Sequence, residues 1–154
     1  LADLFAAYQG ALSLAALLDG VSRGQPAGRA VVSMSEALVE VQGVLRSEYR
    51  LTGELPSPGN TLFSGKFPCY RVYRTADGRR VSVGAIEGKF WQEVCRILEL
   101  PALTTEAFST GETGARVIEA VQNRLGSKPW DHWAPLFSAV DCCVEPVLDY
   151  SELP

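Results

Sequence analysis

Two carboxylates in this chain stand where helices begin. Glu87 follows the run FPCYRVYRTADGRRVSVGAI and falls in the first turn of the helix that starts there. The free N–H groups and the dipole of a helix start favour an ionised acid. Such a glutamate either adds only ~0.3–1 kcal/mol to its own helix or is presented to a site built mainly elsewhere. Asp3 opens an Ala- and Leu-rich helix in the same way, as an ordinary cap or as a charge held for chemistry. Tyr70 begins the strand that leads towards Glu87 and reads either as a half-buried strand aromatic or as a pocket wall. Lys66, Arg71 and Lys89 are available to anionic groups or to solvent. No G-x-S-x-G surrounds Ser35, and the glycines form neither G-x-G-x-x-G nor a phosphate loop. The four cysteines, Cys69, Cys95, Cys142 and Cys143, contain no C-x-x-C, and His132 is the single histidine. A zinc site therefore has little material, and reduced, buried thiols of a cytoplasmic protein are expected.

The elements that must position these groups follow from periodicity. Tyr70, Val72 and Arg74 alternate with Cys69, Arg71 and Tyr73, and Asp77-Gly78 supplies the turn of a hairpin whose second strand carries Val81 and Val83. After Gly84 the period becomes helical, with Phe90, Val94, Ile97 and Leu98 in one stripe. Upstream, Leu4 to Val21 predicts a helix apolar around most of its circumference and hence buried. RAVVSM, Arg29 to Met34, predicts a short buried strand, and Ser35 caps a helix from Glu36 to about Tyr49. Thr52 to Lys66 is dense in Gly, Pro and Ser and reads as a linker. Beyond the hairpin helix, Thr104 or Thr105 starts a helical turn. Thr113 caps a helix bearing Val117, Ile118, Val121 and Leu125, and Ser127 caps another through Trp130, Trp133 and Phe137. VEPVL, Val144 to Leu148, reads as an extended segment leaving the domain.

The 154 residues carry a net charge of −4, 47% hydrophobic and 21% charged side chains, which is a globular composition. The arginines are scattered, so a nucleic-acid surface is not expected. The longest apolar run, Leu4 to Leu18, is shorter than the ~20 residues of a membrane span, and no membrane partner is expected. The chain starts at Leu1 without a Met, and an internal piece of a longer protein is expected.

The stretch from Pro68 to Trp91, PCYRVYRTADGRRVSVGAIEGKFW, resembles the small-domain signature of the family III CoA-transferases, the CaiB–BaiF group. Its A-I-E version is similar to the α-methylacyl-CoA racemase branch. LADLFAAYQGALSLAALL, VSMSEA and the C-terminal DCCVEPVL extend the resemblance over nearly the whole chain. The loop Ser22 to Gln25 departs from the family's T-G-R-G-Q-x-V-D by an added Pro26-Ala27 and by Val31 in place of Asp. The resemblance implies an α+β fold. Residues 1–50 would end the first segment of a Rossmann-like large domain as buried helix, short strand and helix. Residues 51–67 would be the linker, 68–148 a small α+β domain with a hairpin and several helices, and 149–154 the start of the return.

The resemblance also implies chemistry on a CoA thioester, with CoA as part of the substrate and no prosthetic group or metal. Asp3 matches the family's central catalytic acid, a nucleophile in transferases and an acid or base at the α-carbon in racemases. Glu87 matches a glutamate that pairs with a catalytic histidine upstream of the aspartate. His132 lies too far along the chain to be that histidine. Tyr70 matches a tyrosine near the acyl pocket. Interlocked homodimers are implied, with Asp3 and Glu87 meeting across chains. The racemase reading leads, with a CoA transferase working through an aspartyl intermediate as its alternative. A non-catalytic interaction or dimerisation module is the alternative of another class, and no turnover is expected from these 154 residues alone.

Overall fold

The computed structural model describes residues 1–153; Pro154, the last position of the expected 149–154 segment, lies outside the described residues. The chain divides into two compact units between Leu55 and Pro56.

The first unit is helical. α1 runs from Ala2 to Ser22, α2 from Met34 to Glu40 and α3 from Gly43 to Thr52. α1 ends in a Schellman turn. Gly24 takes φ 82°, its N–H donates to Val21 O at 3.0 Å, and Gln25 N–H donates to Gly20 O at 3.0 Å. Positive φ at that position is what glycine tolerates best.

Several expectations for this unit are corrected. No residue of α1 is buried, because α2 is its main packing partner within the unit. With 21 residues, α1 is long and apolar enough, by length and composition alone, to cross a bilayer, so the apolar run is not too short for that. Residues 29–33 form no strand, and Val31 is 78% exposed. A strand requires a ladder partner, and this unit contains no other strand among its described residues. Ser33 rather than Ser35 caps α2, its hydroxyl accepting from Glu36 N–H at 3.3 Å. The expected single helix breaks at Val41-Gln42 ahead of Gly43, where helix propensity is low.

The second unit is a mixed α+β assembly around a three-stranded antiparallel sheet. β1 (Tyr70–Arg74) pairs with β2 (Arg80–Gly84), and β2 pairs with β3 (Val144–Pro146). The segment expected to leave the domain is thus its third strand, with Val83 opposite Val144 and Val81 opposite Pro146. Pro146 is tolerated because β3 is an edge strand. Tyr73, Val81, Val83 and Val144 point inward and are buried, and α4 (Gly88–Ile97), α5 (Gly111–Leu125) and α6 (Trp130–Ser138) supply the rest of the core. α4 contributes Trp91, Val94 and Cys95; α5 contributes Val117, Val121 and Leu125; α6 contributes Trp133 and Phe137. Both indoles are satisfied, Trp91 Nε1 donating to Leu103 O at 2.8 Å and Trp133 Nε1 to Leu125 O at 3.0 Å.

The expected caps also shift. Thr110 rather than Thr113 precedes α5, and Pro129 rather than Ser127 precedes α6. The helical turn expected at Thr104 or Thr105 is a short 3-10 helix over Pro101–Leu103. The outer edge of β1 is partly closed by Gln122 on α5. Its amide donates to Arg74 O at 2.9 Å and accepts from Arg74 N–H at 3.1 Å, standing in for a neighbouring strand.

Candidate functional site

The hairpin delivers Glu87 to a fixed place. Beyond Gly84 the backbone is tied back, Ala85 N–H donating to Cys69 O at 2.9 Å, and Ala85 is fully buried. Glu87 then takes extended angles, φ −75° and ψ 136°, as the N-cap of α4 rather than a first-turn residue. Its carbonyl accepts from Phe90 N–H at 2.9 Å and Trp91 N–H at 3.1 Å. Its side chain makes no capping hydrogen bond, and the residue is exposed. Asp, Asn, Ser and Thr are the side chains that readily close back on N2 or N3. The longer glutamate leaves its carboxylate outward on a rigid base, since Trp91, one turn on, is buried.

Tyr70 lies on the outer face of the sheet, opposite Gly84. Its ring meets Phe63 edge-on at 5.1 Å and 67°. The two rings, with Val72 and Ser82, line a cleft of about 340 Å³. Gly84 is flanked by the Tyr70 ring and by Cys143: a β-carbon there would sit 3.9 Å from Tyr70 Cε2 and 3.7 Å from Cys143 O. Gly84 N–H donates to that same carbonyl at 2.8 Å.

Cys143 is exposed and holds a left-handed φ of 55°. Desolvation raises its thiol pKa first, the charges of Asp141 and Glu87 raise it further, and Lys89 opposes them. Tyr70, Gly84, Cys143 and Glu87 therefore share one corner of the second unit. The sequence groups Cys143 with the buried thiols, but of the vicinal pair only Cys142 turns inward. Cys69, Cys95 and Cys142 are buried, and burial pushes each thiol up to about 11.

Asp3 lies in the first turn of α1 in the other unit. Leu1 is the N-cap there, with no side-chain capping bond, and Asp3 is exposed. His132 is exposed on α6 with its ring edge-on to Trp133 at 4.9 Å. Of the basic candidates, Lys66 lies over the Phe67 ring at 5.8 Å and Lys89 over Phe90 at 4.5 Å. Arg71 donates to Gly65 O. No group of three or more His, Cys, Asp or Glu suited to a metal occurs among the described residues.

A family model described as CoA-transferase family III matches residues 1–153. Among curated proteins, a CaiB/baiF CoA-transferase family protein of Caenorhabditis elegans is 37% identical over 92 residues, covering 60% of this chain and 26% of that protein. The alpha-methylacyl-CoA racemase of Homo sapiens is 30% identical over 95 residues, covering 62% of this chain and 25% of that enzyme. Among solved structures, the hypothetical protein Rv3272 from Mycobacterium tuberculosis superposes with a TM-score of 0.71 at 20% identity, over 96% of this chain and 39% of that one. A CAIB/BAIF family protein from Brucella suis gives a TM-score of 0.58 at 17% identity, over 97% and 40%. The chain thus spans about a quarter of the curated relatives it matches.

Proposed function

Because this chain belongs to CoA-transferase family III, we propose that it is part of an enzyme that removes and returns the proton at the α-carbon of an acyl-CoA. The observation that carries this reading is the Glu87 carboxylate. It is exposed, uninvolved in capping its own helix and close enough to act on Cys143, which with Tyr70 flanks Gly84, in a segment similar to the racemase branch. A thioester bound with its acyl group against Tyr70 and Phe63 would bring the α-carbon to this corner.

Inversion needs acid and base groups on opposite faces of that carbon. In this reading Asp3 serves one face. The other is served by a histidine contributed by further polypeptide, with Glu87 orienting it and holding its charge. The enolate formed between the two transfers needs a donor at its oxygen. α1, whose apolar surface has no buried residue here, would be covered by the Rossmann-like remainder of a large domain. Asp3 and Glu87 would belong to different protomers of an interlocked dimer.

A CoA transferase is the second reading, favoured by the 37% identity to a CaiB/baiF CoA-transferase family protein. Asp3 would then attack an acyl-CoA carbonyl, expelling CoA thiolate to leave a mixed anhydride. The returning thiolate would attack the aspartyl carbonyl and release the first carboxylic acid. An acceptor acid would then take CoA from the aspartyl thioester through a second anhydride.

The complete polypeptide, incubated with a 2-methylacyl-CoA in deuterated water, separates the two readings. Deuterium entering at the α-carbon without any acceptor acid supports proton transfer. Strict dependence on an acceptor, with ping-pong kinetics, replaces it by the transferase reading.

A further inference from the structure

The outer face of the hairpin continues past Tyr70 to a pair of arginines. Arg74 and Arg80 are direct cross-strand partners. Arg74 N–H and C=O both point away from β2 to Gln122, and the next pair, Thr75 and Arg79, is joined by Thr75 N–H donating to Arg79 O at 3.0 Å. Arg74 and Arg80 are therefore a non-hydrogen-bonded pair, the kind whose side chains stand closest. Like charges set directly opposite destabilise a sheet.

Among the described residues little offsets the pair: Arg74 only donates a long hydrogen bond to Gly78 O at 3.5 Å. Arg80 meets Asp149 at 3.8 Å, and that carboxylate is 71% exposed, a weak surface contact. The Asp77 carboxylate is turned to the Thr75 hydroxyl and to Trp130 N–H. Glu152 is engaged by Arg79 at 2.8 Å. Arg79 Nε is buried with no hydrogen-bond partner among the described residues. The three arginines line one cleft of about 440 Å³, together with the engaged Asp77 and the exposed Asp149.

The same face runs in register from the Tyr70–Gly84 pair, through Val72–Ser82, to Arg74–Arg80. From Tyr70 to Arg74 that is four residue-to-residue rises of strand, ~14 Å. One end adjoins Glu87, the middle is apolar and hydroxylic, and the far end is doubly cationic. We propose that Arg74 and Arg80 bind an anionic group at the far end of the ligand whose reacting carbon lies at the Tyr70–Glu87 corner. The inference rests on the acyl-CoA reading. The anion is a CoA phosphate or a terminal carboxylate of the acyl chain, and both have the chemistry that paired guanidinium groups recognise.

The experiment measures, in the complete polypeptide, dissociation constants for CoA, dephospho-CoA, a medium-chain acyl-CoA and the same acyl-CoA with a terminal carboxylate. Wild type is compared with Arg74→Gln/Arg80→Gln and Arg74→Lys/Arg80→Lys. The Gln pair should lose at least about tenfold in affinity, as expected for charge-assisted contacts, and the Lys pair should lose less. Loss for CoA but not dephospho-CoA supports the site with the 3′-phosphate as the anion, and equal loss for both supports it with the pyrophosphate. Loss confined to the carboxylated thioester supports it with the acyl terminus. Relief of the like-charge pair should also raise the thermal midpoint of the ligand-free Gln variants, a change that a structural role for the arginines would reverse.

The proposal is overturned if the Gln pair binds every probe as wild type does, or if its ligand-free form melts lower. α-Proton exchange retained in that variant leaves the acyl-CoA reading standing without the anion site. Failure of wild type to bind any of the four probes removes both.

Discussion

Asp77, in the turn of the hairpin, accepts the backbone N–H of Trp130 at 3.2 Å and so caps the start of α6. The same carboxylate accepts from the Thr75 hydroxyl, and Thr75 is almost fully buried. One side chain thus closes the turn and binds a distant helix to it. The Thr75 hydrogen bond, with the N–H groups of Trp130 and Arg79, holds the Asp77 carboxyl below its ordinary value.

Asp77→Ala should therefore lower the thermal midpoint at about pH 7. Because the folded-state value is depressed, the stabilisation is complete above the unfolded carboxyl value and fades as pH falls through the lower, folded one. Melting curves of wild type and Asp77→Ala should converge on acidification. A gap that persists or widens in acid would contradict this.

Glu87→Gln should leave stability within about 0.5 kcal/mol of wild type, since the side chain is exposed and caps nothing. In the complete polypeptide, α-proton exchange should fall by ~10²–10⁴-fold. Calorimetry and deuterium incorporation measure the two effects separately. Unchanged exchange would remove Glu87 from the chemistry.

Native protein treated with iodoacetamide near neutral pH should be alkylated at Cys143 first, and slowly, because its thiol is exposed but raised above its ordinary value. Cys69, Cys95 and Cys142 should stay unmodified until the protein unfolds. Peptide mapping by mass spectrometry gives the order, and early labelling of Cys69 would contradict the packing described.

Gly114→Ala should destabilise the second unit by about 1–3 kcal/mol. The new methyl group would fall inside van der Waals contact of the Ser109 carbonyl, and backbone there must move. Chemical denaturation measures this, and a neutral result would show that the Ser109 loop yields freely.

What local pattern can encode was readable from the residues. The Asp77-Gly78 turn, the alternation ending in buried Val81 and Val83, and the stripe Val117, Val121, Leu125 all depend on neighbours within a few positions. The failures are contacts between distant segments. Val144–Pro146 is too short to announce a strand and becomes one because β2 offers a free edge. Residues 29–33, richer in β-branched side chains, lack such an edge and stay irregular. The second role of Asp77 and the edge-closing amide of Gln122 depend on folds of the chain that no spacing records. At the candidate corner, Glu87 and Tyr70 were visible from the sequence, whereas Cys143 was not, because inward and outward cysteines look alike in a vicinal pair.

β3 is drawn from the far end of the chain, and this gives synthesis a timetable. By the time a ribosome is translating α6, the hairpin has emerged, with one margin of β2 bare. That margin can recruit a foreign strand until Val144 to Pro146 arrive to occupy it. Proteolytic trimming that removes Val144 to Pro146 would restore the same vulnerability to a finished molecule.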